Sequence, residues 1–171
     1  MALAKFSVVT RRRFLKALAA AGLFAGGGAG WLAALRGCAP TVPGLRCLGD
    51  QEHRTLTALA TALFPEGGAF AVGAASMDLA RMFDGYLADE DEDRQSDLKR
   101  ALLLLEYGPL VYDHHHVTFS NLSADERLAH FESWGTSDEL LRRQVSVAFR
   151  KFLSLVFYDR EEVWPEIGYA L

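Results

Sequence analysis

From Leu48 onward, apolar residues recur at steps of three and four rather than two, the spacing of helices that bury one side. Residues 50–64 form the first such segment, with Asp50 as the expected N-cap and Leu56, Leu59, Ala60 and Leu63 along one stripe. Pro65, Glu66, Gly67 and Gly68 should stop it. Residues 74–87 repeat the pattern through Met77, Leu79, Ala80, Phe83 and Leu87. A third helix is expected over 94–107. Its Leu98 and the run Leu102, Leu103, Leu104, Leu105 cover most of a helical circumference, which predicts burial on nearly all sides at the centre of the bundle. Ser123 and Glu126 stand in capping-box register and open a helix through Leu128, Phe131 and Trp134, broken by Gly135 and Thr136. The longest helix is expected to start at Ser137, Asp138 and Glu139 and to reach Tyr158, with Leu141, Val145, Ala148, Phe149, Phe152 and Val156 inward. No stretch alternates over a confident length and no repeat is present. The expectation is all-α: one compact helical bundle of about five to six helices over residues 50–171.

The first 37 residues obey a different pattern. Lys5, Arg11, Arg12, Arg13, Lys16 and Arg36 are their only charges, and residues 17–35 are uncharged, Ala- and Gly-rich and only mildly apolar. A basic n-region before such a run is the layout of an export signal. A membrane-spanning helix needs roughly 20 strongly apolar residues, a length this run barely reaches; the segment is therefore read as a signal, with retention as an anchor the other option. Thr10-Arg11-Arg12-Arg13-Phe14-Leu15-Lys16 resembles the twin-arginine signal of bacteria, with Thr in the usual Ser position and Arg11, Arg12, Phe14, Leu15 and Lys16 in the expected places. That resemblance implies delivery to the periplasm through the twin-arginine translocase. Leu35-Arg36-Gly37-Cys38 resembles a lipoprotein cleavage box except at Arg36. Cys38 and Cys47, the only cysteines, bracket Pro40, Pro43 and Gly44 in a linker over 38–49. An oxidising compartment would allow them to pair; lipidation of Cys38 would prevent it. Both readings stay open, as does a membrane anchor supplied by the signal or by a lipid.

Charge sharpens the division. The signal takes six of the chain's 18 Lys and Arg, so the remainder sets 12 bases against all 22 acids, a net of −10. A body that acidic is unsuited to nucleic acid, whose phosphates need Lys and Arg surfaces. The run Asp89-Glu90-Asp91-Glu92-Asp93 reads as a solvated turn that favours the start of the following helix. It lacks the spaced acids and turn glycine of a calcium loop.

Cofactor chemistry finds little footing. There is no dinucleotide fingerprint, phosphate loop, haem-attachment motif or nucleophile elbow, and two cysteines fall short of the four thiolates an iron–sulfur cluster takes. Asp113-His114-His115-His116 invites a metal reading. Adjacent residues on a helix point about 100° apart, however, so at most two aim at one ion. His53 and His130 would complete a site only if the fold brought them close. The bland reading, loop or interface histidines, is preferred. The closing segment carries Trp164, Ile167 and Tyr169 beside Pro165 and Gly168. It either folds back on the bundle or offers an aromatic patch to a partner.

Three sets of residues carry a further resemblance. They are Leu56-Thr57-Ala58-Leu59-Ala60-Thr61-Ala62-Leu63-Phe64-Pro65 followed by Gly67-Gly68; Phe119 with Leu122-Ser123, Glu126-Arg127, Trp134, Ser137 and Arg142-Arg143; and the end, Phe157-Tyr158-Asp159, Val163-Trp164 and Ile167-Gly168-Tyr169. Together they resemble the gluconate 2-dehydrogenase subunit 3 family, the small subunits that accompany FAD-bearing glucose–methanol–choline dehydrogenases. The resemblance implies a non-catalytic accessory subunit that binds, stabilises and escorts such a dehydrogenase, with no cofactor of its own, FAD in the partner, and a cytochrome c subunit as a further associate. A physical argument stands beside it. The twin-arginine route carries folded cargo, and a cofactor-free helical bundle has little need of it unless it travels bound to something that does. Two alternatives are a metal-binding periplasmic enzyme using Asp113 to His116, and a free-standing periplasmic lipoprotein scaffold.

Overall fold

The computed structural model describes residues 41–169; the expected export signal and Cys38 lie outside them. Among the described residues there are five α-helices, two short 3-10 turns and no strand. The helices are α1 (Asp50–Leu63), α2 (Leu79–Ala88), α3 (Glu92–Tyr112), α4 (Ala124–Gly135) and α5 (Leu140–Tyr158), and the turns are Phe119–Asn121 and Trp164–Ile167. The chain is all-α as expected.

The centre of the bundle is α1, not α3. α1 packs against α2, α3, α4 and the Phe119–Asn121 turn. Its inward residues, Thr55, Leu56, Ala58, Leu59 and Ala60, include small side chains that let neighbouring backbones approach. Within the leucine run of α3, Leu102 and Leu105 are buried and Leu104 is half-buried, while Leu103 is 39% exposed. Four leucines in a row thus serve one face and spill onto its flank. Phe119, Phe131, Trp134, Phe149 and Phe157 fill the interior between the helices. Burying a side chain of that size is worth about 1.5–3 kcal/mol each, the main term holding the fold.

Local chemistry sets the helix ends, with several departures from expectation. Asp50 is the first helical residue of α1 rather than its cap. The Glu52 carboxylate accepts from Gly49 N–H at 2.7 Å, and Asp50 Oδ1 accepts from Val42 N–H at 2.9 Å. α2 begins five residues late, because Asp78 takes a left-handed conformation, φ 47°, which short polar side chains tolerate better than others. Ala74 and Met77 are buried all the same, from a turn. The acidic run does cap α3: Asp91 accepts from Arg94 N–H at 2.9 Å, with Glu92 and Asp93 in the first turn, where the helix dipole favours negative charge. α3 then runs five residues past its expected end, through Gly108 and Pro109. Ser123 and Glu126 form the predicted capping box of α4. In α5, Leu153 and Phe157 take core positions, whereas Phe152, expected inward, is 41% exposed and touches Phe83 edge-on at 6.4 Å.

Two buried carboxylates stitch these elements together. Glu106 of α3 accepts from Gln51 Nε2 at 2.9 Å, Thr55 Oγ1 at 2.8 Å, Ser120 N–H at 3.1 Å and Ser120 Oγ at 2.7 Å, joining α3 to α1 and to the Phe119–Asn121 turn. Asp84 of α2 accepts the backbone N–H groups of Arg46 at 2.7 Å, Cys47 at 2.9 Å and Leu48 at 2.6 Å. Residues 46–48, read from the sequence as part of a linker, are therefore bound to the bundle, and Leu48 is buried in it. Cys47 is half-buried, has no disulfide partner among the described residues, and its Sγ donates to Gln95 Oε1 at 3.4 Å.

Burial pushes the Asp84 carboxyl up, but the three N–H donors outweigh it and hold the group below its ordinary value of 3.8. The unfolded chain therefore takes up that proton first. The stability Asp84 contributes is complete above about pH 4 and is lost as pH falls through the lower folded value. Asp84→Asn sets an amide NH₂ against donors, and is expected to cost about 1–3 kcal/mol at pH 7, read as a lower urea midpoint. The cost should shrink toward pH 3.

Candidate functional site

The outer face of α5 carries several of the exposed large apolar side chains on the described residues. The helix packs on α4 and α2 through Val145, Phe149, Leu153, Val156 and Phe157. Successive residues turn by about 100°, so Leu140, Val147, Leu155 and Tyr158 fall within an arc of about 80° pointing away from that core. Their exposures are 57%, 64%, 67% and 42%. Gln144 and Lys151 lie in the same arc, Lys151 four residues from both Val147 and Leu155, and the Tyr158 ring at its end meets Phe64 and Phe70 edge-on at 6.5 and 5.8 Å. Tyr86 of α2, also exposed, donates its hydroxyl to Asp159 Oδ2 at 2.8 Å and so sits at the C-terminal end of the stripe. Single exposed apolar residues are ordinary; a row of them on one helix makes this face a candidate contact surface.

The charges of α5 are all of one sign. Arg142, Arg143, Arg150 and Lys151 stand in a helix with no acid. Arg142 lies 4.4 Å from the Tyr112 ring centroid and 3.5 Å from Glu139, and Arg150 pairs with Glu132 at 2.9 Å. Lys151 has no ion pair among the described residues.

The closing segment folds back on the bundle and leaves two of its side chains exposed. Val163 is buried, Glu166 accepts from Ala71 N–H at 3.0 Å, and Trp164 Nε1 donates to the carbonyl of Tyr158 at 3.0 Å, which ties the segment to the end of α5. The Tyr169 ring meets Trp164 edge-on at 5.3 Å. Ile167 and Tyr169 remain about half exposed. Beside them a concavity of about 710 Å³ is lined by Asp159, Arg160, Glu161, Glu162 and Trp164. Charge on four of five lining residues is unlike the apolar lining of small-molecule sites.

The histidine cluster is pulled apart by the backbone. Asp113 caps α3, and its carboxylate meets Nδ1 of His130, which α4 holds in the core. His114 turns left-handed at φ 56° and is exposed, His115 N–H donates to Pro109 O at 3.1 Å, and His116 is exposed. His53 lies instead 3.6 Å from Asp78. Among the described residues no three His, Cys, Asp or Glu are placed to hold a metal ion. The fold thus joins two of the residues singled out from the sequence, Asp113 and His130, as a structural pair. The α5 stripe was missed. Its signal was the surplus of apolar positions in residues 140–158, more than one buried face can use, together with the absence of acids.

Burial pushes the His130 imidazole below its ordinary value of 6.5, helped by His115 and Arg142; the Asp113 carboxylate opposes the shift without cancelling it. Because the unfolded chain binds that proton more readily, stability is level above about pH 7 and falls as the pH drops below 6.5. The urea midpoint should decline from pH 6.5 to 5, and His130→Gln should flatten that slope.

Among the described residues no helix is long and apolar enough to cross a membrane. Compared with protein-family models, curated proteins and solved structures, the chain matches none of them.

Proposed function

We propose that the chain is a non-catalytic small subunit that binds a folded FAD-dependent dehydrogenase, accompanies it through the twin-arginine pathway and stabilises it in the periplasm. The observation that carries this reading is the apolar outer stripe of α5: Leu140, Val147 and Leu155 are held in water on a helix whose opposite side is packed. An apolar row in that position loses its hydration cost only when a partner covers it. The signal-like Thr10 to Lys16 and the resemblance to the gluconate 2-dehydrogenase subunit 3 family supply the kind of partner. On this reading the flavin and its chemistry belong to the dehydrogenase, a cytochrome c subunit is the onward electron acceptor, and this chain stabilises the assembly by mass action.

The test is co-expression with a signal-less FAD-dependent glucose–methanol–choline dehydrogenase from the same genome, followed by flavin absorbance of the periplasmic fraction. Periplasmic flavoprotein should depend on this chain and vanish when Arg11 and Arg12 are both changed to Lys. Flavoprotein that reaches the periplasm equally well without this chain overturns the reading.

A further inference from the structure

We infer that the outer face of α5 docks into an apolar groove edged by carboxylates on a partner protein, with Lys151 as the central charge contact. The inference rests on the subunit reading above and names the chemistry of its docking surface. Three observations carry it. Leu140, Val147 and Leu155 form one exposed row broken by Gln144 and Lys151, so the partner's complement is largely apolar. Of the four bases of α5, Arg142 and Arg150 are already paired with Glu139 and Glu132, so Lys151 is the base the row itself presents, on a body whose remaining charge is strongly negative. Lys151 stands inside the row, between Val147 and Leu155, with no ion pair among the described residues. Covering the row strips water from its ammonium group, which then requires an anion.

Those charges also reject other occupants. A second copy meeting this face across a twofold axis brings Lys151 its own image and no anion, since the same patch lies on both sides of such an interface. An anionic lipid surface would attract Lys151 and Arg143 but repel the acidic body around them. A protein groove with an acidic edge satisfies the apolar row and the lysine together.

The test uses the full chain co-expressed with the same signal-less dehydrogenase. Lys151→Glu and Leu155→Asp change exposed side chains, and circular dichroism should show both variants folded. Each is expected to raise the Kd for the flavoprotein about tenfold or more, with Lys151→Arg near the parent. Parent affinity should fall between 50 and 500 mM sodium chloride, and that salt dependence should flatten in Lys151→Glu, because a charge contact is screened. A parent that retains flavoprotein while both variants bind equally well overturns the docking face and leaves the subunit reading standing. A parent that retains none overturns both. Variants that instead lose self-association in sedimentation, or lose binding to phosphatidylglycerol vesicles, overturn the proposal in favour of a second copy or a lipid surface.

Discussion

Replacing Glu106 by alanine is expected to cost the domain about 3–5 kcal/mol, because the change leaves buried donors with nothing to accept from them. Glu106 is 2% exposed and takes four hydrogen bonds from three residues, Gln51, Thr55 and Ser120. Those residues belong to α1 and to the turn after α3, so one carboxylate fixes the distance between three elements. Alanine removes every acceptor at once and leaves a cavity the size of the missing side chain. The Ser120 N–H has nowhere to turn, since the backbone around it is already committed to the turn. Domains of this size are stable by only about 5–15 kcal/mol, so the loss is a large share of the total. With a urea slope of about 1–3 kcal/mol per molar, the midpoint should drop by roughly 2 M. Glu106→Gln separates hydrogen bonding from volume: it keeps the shape, replaces one acceptor with a donor, and should cost less than alanine but still more than about 1 kcal/mol. A Glu106→Ala midpoint within error of the parent would mean that α1, α3 and the turn are held in place by apolar packing alone.

What could be read ahead of the structure follows the range of the interaction. The capping box at Ser123 and Glu126 and the acidic start of α3 are decided within four residues, and both were legible. Glu106 was half legible: a lone acid closing a run of four leucines is a charge in an apolar setting, although its donors lie 14 to 55 positions away. The Asp113–His130 pair, separated by 17 residues, had no local signature beyond residue type. The exposed stripe of α5 was hidden for another reason. Between Phe152 and Tyr158 all but Ser154 are apolar, so helical period alone does not choose which become core. α2 and α4 make that choice by covering one side of α5, and Leu155 is left in water while Val156 and Phe157 are not. Where apolar residues outnumber the core positions a helix has, tertiary packing and not helical period decides which are left exposed.

The end of α3 shows the same tertiary override at a single residue. Gly108 followed by Pro109 reads as a helix stop, yet the helix continues to Tyr112, because Gly108 is where α3 crosses α4. A Cβ there would lie 2.6 Å from Trp134 Cζ2 and 2.7 Å from His130 Nε2, both ring atoms of fully packed side chains. In an exposed helix, glycine to alanine gains up to about 1 kcal/mol from backbone entropy. Here the overlap should reverse the sign: Gly108→Ala is expected to destabilise by about 2–4 kcal/mol, since rigid rings give way only if the helices part. The ring contact can be checked directly by combining Gly108→Ala with Trp134→Phe, which removes the atom at 2.6 Å. If the rings are the obstacle, the double variant loses less than the two single losses added together. If the losses simply add, alanine is being refused by the helix itself, and Gly108 owes its place to the neighbouring proline instead of to the crossing.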